Sequence, residues 1–286
     1  MTIFLDLRAY SVGGDPASEV TIRDSNGKIL GIDFLADYIS GKDVLLATHG
    51  FNVNRQDGVD AFTFWEKWLS LGESFAYIGV LWPGDSRWLP VIDYPFEGDE
   101  AIRSGKLLAP FLNDHLAEAV SLSFASHSLG ARMVLETIRH LQRSVKRVVL
   151  MAGAINDDCL MHEYKDANER IESVSILASK CDAVLAFAFP IGNVFEGIVD
   201  RGHPYWDGAL GRYGPDTPYP ANLHTGWQIP KSWDYGHGDY LPDTASALPA
   251  IPIPVNVRPE GTPLPNNTSQ WKADWSAAFV SSRVAG

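Results

Sequence analysis

Residues 119–136 read Ala-Val-Ser-Leu-Ser-Phe-Ala-Ser-His-Ser-Leu-Gly-Ala-Arg-Met-Val-Leu-Glu. The first half, Ala119 to Ser126, is a short run dense in apolar residues. Its length suits a strand buried on both faces. The second half opens a segment in which Met133, Val134, Ile138 and Leu141 mark one apolar face of a helix. Ser126-His127-Ser128-Leu129-Gly130 joins the two. A strand that runs straight into a helix lifts the middle side chain of the bend out of the sheet edge. It also aims the unpaired N–H groups of the helix N-terminus at developing negative charge. A serine hydroxyl is a weak nucleophile and needs such exposure beside a general base. Ser128 is therefore the candidate nucleophile. The competing reading is a helix N-cap, a role serine often fills. Strand and helix approach closely two residues before and two after the serine. Gly130 suits that approach. Ser126 departs from the G-x-S-x-G pattern, but it is small, so the bend is expected to form with some strain. His127 points away from its neighbour and reads as a turn-shaping or packing residue.

Outward from this stretch the same alternation repeats. Asp43 to Thr48, Ala76 to Trp82, Lys146 to Ala152 and Ser173 to Ser179 are further buried-strand runs. Val59, Phe62 and Leu69 with Trp65 and Trp68 mark a helix between the first two. Ile102, Leu108, Phe111, Leu112 and Leu116 mark another. Strand alternating with helix predicts an α/β fold with a mostly parallel sheet and helices on both faces. Thr2 to Tyr10 alternates as a strand, and Glu19 to Phe34 reads as two strands turning at Ser25-Asn26-Gly27. These predict an antiparallel N-terminal edge. After about residue 192 the pattern breaks. An irregular insertion is expected at about 193–230, and a Pro-rich extension at about 242–286. Seven prolines between Pro242 and Pro265 exclude helix there, and Gln270 to Val284 reads as a last helix. Nothing marks a linker, so 1–286 is expected to be a single domain.

Composition bounds the function. Of 286 residues, 45% are apolar, with nine Trp and thirteen Phe, enough for a full core. The net charge of −12 disfavours nucleic acid, which is bound through basic stripes. No apolar run reaches the ~20 residues of a membrane span. The first ten residues do not read as a signal peptide, and two cysteines, Cys159 and Cys181, read as reduced thiols. A cytoplasmic protein is expected.

A second informative segment is Asp43-Val-Leu-Leu-Ala-Thr-His-Gly-Phe-Asn52, a buried strand ending in His49-Gly50-Phe51-Asn52. A glycine there lets the backbone turn and present an N–H to a ligand. Acyl transfer makes an oxyanion that needs two preorganised donors. The backbone N–H groups of Phe51 and Leu129 are the candidates. The plainer alternative is an ordinary turn with Asn52 or Asn54 as a cap. His49 reads as structural.

Taken together, His49-Gly50-Phe51-Asn52, Trp82-Pro83-Gly84 and Ser126-His127-Ser128-Leu129-Gly130 resemble the alpha/beta-hydrolase superfamily, in particular its bacterial serine-esterase-like members. The resemblance covers roughly residues 40–240. It implies a triad in the order Ser, acid, His. For the acid this points to Asp182, at the end of the run Ser173 to Ser179, with Asp157 and Asp158 as competitors and a helix cap as its other reading. For the base it points to His237 in Tyr235-Gly236-His237-Gly238-Asp239-Tyr240, over His203 and His224. The implied activity is a serine carboxylesterase acting on a small-molecule ester, without metal or other cofactor. Trp82, Trp88 and Asn52 are expected to line the substrate cleft, with aromatics of the insertion (Phe195, Tyr205, Trp206, Tyr213, Tyr219) as a second wall. A serine nucleophile argues against a dehalogenase or epoxide hydrolase. A non-catalytic binding protein on this fold, or a lipase or peptidase, is the alternative.

Overall fold

The apolar runs become strands, and the connections between them set their order. A computed structural model of the chain describes residues 1–11, 14–69, 71–85, 94–186, 208–229, 231 and 234–240. Among these residues one sheet is formed by β1 (Ile3–Arg8), β2 (Pro16–Asp24), β3 (Asp43–Thr48), β4 (Phe75–Leu81), β5 (Ser121–His127), β6 (Arg147–Met151), β7 (Val174–Ser179) and β8 (Leu223–Ile229). The order across the sheet is β2-β1-β4-β3-β5-β6-β7-β8. β1 and β2 pair antiparallel, and all other neighbours pair parallel. This is the expected architecture, antiparallel edge included. Every residue of β6 and β7 is buried. Burial on both faces is why these strands read as continuous apolar runs.

The helices are α1 (Ile32–Ile39), α2 (Arg55–Leu69), α3 (Tyr94–His115), α4 (Gly130–Arg139) and the single turns α5 (Lys165–Asn168) and α6 (Leu210–Tyr213). α2 carries the chain from β3 to β4 in one direction across the sheet. α3 and α4 carry it from β4 to β5 and from β5 to β6 in the other. Right-handed crossovers therefore put α2 on one face and α3 and α4 on the opposite one. α3 and α4 pack against each other, and α2 packs on β4. Phe62 and Trp65 of α2 and Met133, Val134 and Ile138 of α4 are buried, as their spacing predicts. The register sets Thr48 beside Ser126 and His127 beside Met151. The carboxyl ends of β3, β5 and β6 thus finish level, where ligands bind in open α/β sheets.

Two expectations need correction. Glu19 to Phe34 is not a pair of strands. The turn forms, with the Asp24 carboxylate accepting the N–H groups of Asn26 (2.9 Å) and Lys28 (3.0 Å). Beyond it only a single bridge, Arg23 to Ile29, forms before α1 begins. Leu35 and Ile39, four apart and both buried, carry the helical period that a short window hides. The stretch read as irregular holds α6 and β8. Gly226 and Gln228 break up the apolar run in β8, so this edge strand lacks the signal of the central ones. The Pro-rich extension and the helix expected at Gln270 to Val284 lie outside the described residues.

Candidate active site

The elbow forms with its strain concentrated at one residue. Ser128 adopts a left-handed backbone with φ 53°. For a residue with a Cβ this costs about 1–3 kcal/mol and persists only where the surroundings fix it. Here the Ser128 N–H donates to the Met151 carbonyl at 2.9 Å, and its own carbonyl accepts from Ala131 and Ala154, both at 3.1 Å. Ser126 escapes the strain expected of it. It lies within β5, and its hydroxyl faces the Val149 carbonyl at 3.4 Å. Gly130 is required: a Cβ there would sit 2.5 Å from the His49 carbonyl oxygen. Gly50 is required too, since its Cβ would sit 2.6 Å from the Cβ of Ser128. These two contacts bring the end of β3 against the elbow.

Ser128 does not cap α4, whose N-terminus has no side-chain cap. Its hydroxyl instead donates to Nε2 of His237 at 2.8 Å. Nδ1–H of His237 donates to Oδ2 of Asp182 at 2.7 Å. The other carboxylate oxygen of Asp182 accepts the Leu185 N–H at 2.9 Å, capping the turn 183–186. The Asp182 carboxylate thus meets the His237 ring with one oxygen and caps the following turn with the other. The Asp182 side chain has no exposed surface, whereas that of His237 is 17% exposed, so the ring stands at the edge of solvent. The loop carrying His237 is held just before the ring. Ser179 at the end of β7 donates to the Tyr235 carbonyl at 2.6 Å, and the Gly236 N–H donates to the Asp239 carboxylate at 2.6 Å. Arg212 of α6 donates to the Asp182 carbonyl. Neither competing acid meets His237. Asp158 faces His162 at 3.7 Å, and the backbone of Asp157 pairs with Gly208 and Asp216. His224 falls in β8, and His203 lies outside the described residues.

On the other side of Ser128, Leu129 is the N-cap residue of α4, and among the described residues its N–H has no acceptor. Phe51 directly follows Gly50. Asn52 is exposed, with a left-handed φ of 60°, and its N–H donates to the Gly84 carbonyl at 2.6 Å. His49 is structural. Its Nδ1–H donates to the Gly50 carbonyl at 2.9 Å, and Nε2 accepts the Trp82 N–H at 3.3 Å. Burial pushes its pKa down to about 3, so the ring is neutral. Trp82 does not line a cleft. It has no exposed surface, stacks on His49 at 5.6 Å and donates Nε1–H to the His49 carbonyl at 2.9 Å. It props the turn from beneath. Trp88 and the insertion aromatics Phe195, Tyr205 and Trp206 lie outside the described residues, while Tyr213 and Tyr219 are exposed.

The residue that sequence reading missed is Arg8. Its buried guanidinium donates to the carbonyls of Trp82 (2.7 Å), Val53 (3.1 Å) and Ser11 (3.2 Å) and pairs with Asp85. It ties the antiparallel edge to both loops beside Gly50. A charged residue closing a strand as rich in large apolar residues as Ile-Phe-Leu-Asp-Leu-Arg was the available signal. Among the described residues, no helix is long and apolar enough to cross a membrane, and no group of three or more His, Cys, Asp or Glu is arranged to hold a metal ion.

Comparison with curated proteins gives no match. Among solved structures the chain is similar to an uncharacterized protein from Bacillus cereus ATCC 10987, at 17% identity over 56% of this chain and 49% of that one, with a TM-score of 0.36. It thus spans about half the length of that protein. It is also similar to esterase PE8, at 17% identity over 69% of this chain and 86% of that one, with a TM-score of 0.38. Residues 33–202 match a family described as an alpha/beta hydrolase of unknown function (DUF900). That match runs from α1 past β7, through the Gly50 turn, the elbow and Asp182, and covers more than half of the chain: this protein belongs to that alpha/beta-hydrolase family.

Proposed function

We propose that the protein is a serine hydrolase that cleaves small-molecule carboxylic esters through an acyl-enzyme. The observation that carries this reading is the unbroken pair of hydrogen bonds from Ser128 through His237 to Asp182, at 2.8 and 2.7 Å. His237 Nε2 takes the hydroxyl proton as Ser128 Oγ attacks the ester carbonyl carbon. Asp182 holds the ring and stabilises the imidazolium. The N–H groups of Leu129 and Phe51 receive the oxyanion, each worth about 3 kcal/mol of barrier. Collapse breaks the ester C–O bond, and His237 gives its proton to the leaving alcohol. Water then repeats the cycle on the acyl-enzyme, returning the acid and free Ser128. The exposure of Asn52 on the Gly50 turn supports its reading as a substrate contact at the rim.

The test is to treat the protein with a fluorophosphonate, map the adduct by mass spectrometry, and measure turnover of short p-nitrophenyl esters. The expected result is an adduct on Ser128, ester turnover, and loss of both in Ser128→Ala. An unlabelled and inactive wild-type protein would point to a hydrolase-fold binding protein instead. Full activity in Ser128→Ala, or in His237→Ala while His224→Ala is silent, overturns the site.

A further inference from the structure

His127 takes no part in the reaction just described, yet its ring is buried between the two loops that meet at Ser128. Its Nε2 lies 2.7 Å from the backbone carbonyl oxygen of His237. A carbonyl only accepts, so Nε2 carries the hydrogen and Nδ1 is bare. Nδ1 faces the other loop: a Cβ built on Gly50 would lie 3.1 Å from it. The ring also lies against that of His237, with centroids 4.8 Å apart and planes at 54°, and nearer the edge of contact with Tyr240 at 6.3 Å. Burial first, and then the nearness of His237, pushes its pKa down to about 3. A charged neighbour would oppose the imidazolium that forms on His237 during turnover, and a neutral ring does not.

We propose that His127 is a positioning residue that fixes the backbone at His237, so that the base meets the Ser128 hydroxyl, and sets the distance from that loop to the Gly50 turn. The inference rests on the Ser128–His237–Asp182 reading above. Ser179 and Asp239 hold residues 235 and 236, on one side of the base. His127 holds residue 237 itself. The reach of the imidazole from Cβ to Nε2 is what the geometry uses. Glutamine places an N–H at a similar reach, asparagine places one too close to the backbone, and phenylalanine keeps the ring without a donor.

The experiment compares His127→Gln, His127→Asn and His127→Phe with wild type for kcat and KM on a p-nitrophenyl ester, fluorophosphonate labelling rate and melting temperature. A misplacement of ~1 Å in a catalytic group costs on the order of 100-fold. The Asn and Phe variants are therefore expected to lose roughly 30- to 100-fold in kcat and labelling rate with KM nearly unchanged. His127→Gln recovers most of that loss. A purely structural role predicts activity that follows melting temperature with no preference for Gln. A Gln variant that turns over and labels no better than Asn overturns the proposal, whatever the Phe variant does. Wild-type protein that neither labels nor turns over sinks the hydrolase reading itself, so the two failures are told apart.

Discussion

Asp182 divides its two carboxylate oxygens between two tasks. Oδ2 receives Nδ1–H of His237 and Oδ1 receives the N–H of Leu185. The tasks separate by substitution. Asparagine keeps an oxygen for the cap but loses the negative charge that steadies the imidazolium, and it admits the wrong tautomer of the ring. Asp182→Asn is expected to lower kcat about 10⁴-fold while changing stability little. Asp182→Ala is expected to lower kcat as much and to cost roughly a further 1 kcal/mol of stability, the usual value of a lost cap. Chemical denaturation beside ester kinetics reads both quantities. Equal stability of the two variants would remove the capping role, and an active Asp182→Asn would remove the catalytic one. At this scale the sequence was informative where chemistry restricts residue type. Ser128 follows from the strand-to-helix bend itself. Asp182 and His237 came from the chain order implied by the family resemblance. Trp82 was misread because a tryptophan at a strand end looks alike whether it lines a cleft or props a turn. Only the stacked His49 ring and the bonded indole N–H distinguish the two.

The elbow works as an element because two glycines let β3 and α4 touch. At Gly130 the obstructing atom is the His49 carbonyl oxygen, 2.5 Å from a built Cβ. A backbone atom cannot swing aside as a side chain can. Gly130→Ala therefore has to push α4 away from the end of β3, carrying Leu129 and Ser128 with it. The expected cost is about 1–3 kcal/mol of stability, as for an overpacked core, together with a fall in kcat larger than the fall in stability explains. Thermal melting and ester kinetics on the variant measure both. A Gly130→Ala enzyme with native melting and native kcat would show that the close approach is not needed. Ser126, where glycine is usual, asks for no such latitude, because it is still in β5 and paired with Thr48 and Leu150. The elements that were legible are those whose residues are buried on both faces or on one full helical face. α1 and β8 were not, for a shared reason. α1 leaves Ile32 and Phe34 partly exposed, and β8 carries Gly226 and Gln228 among its apolar residues, so neither shows a clean period.

Across the whole molecule, the site is assembled from distant parts of the chain, and buried polar groups hold the parts in register. Arg8 at the end of β1 gathers the loops after β3 and β4. His49 at the end of β3 and His127 at the end of β5 join those loops to the elbow and to the loop carrying His237. Both histidines are neutral in the folded protein, with burial holding each pKa down to about 3. In the unfolded chain a histidine titrates near ~6.5. Between those values the unfolded state binds protons that the folded state does not, so stability rises with pH across this window. The contribution of the two rings is fully present above ~6.5 and is lost progressively as the pH falls toward 3. Carboxylates begin to protonate only nearer pH ~4, so the interval from about 6.5 to 5 reports histidines. Melting temperature is expected to fall steadily over that interval. His127→Gln, which has no titrating ring, is expected to show a shallower fall than wild type, because one of the two proton-binding steps is gone. Identical slopes in the two proteins would mean that His127 is already able to take up a proton in the folded state, and the closed, ring-against-ring contact beside His237 would then not be the state that prevails in solution.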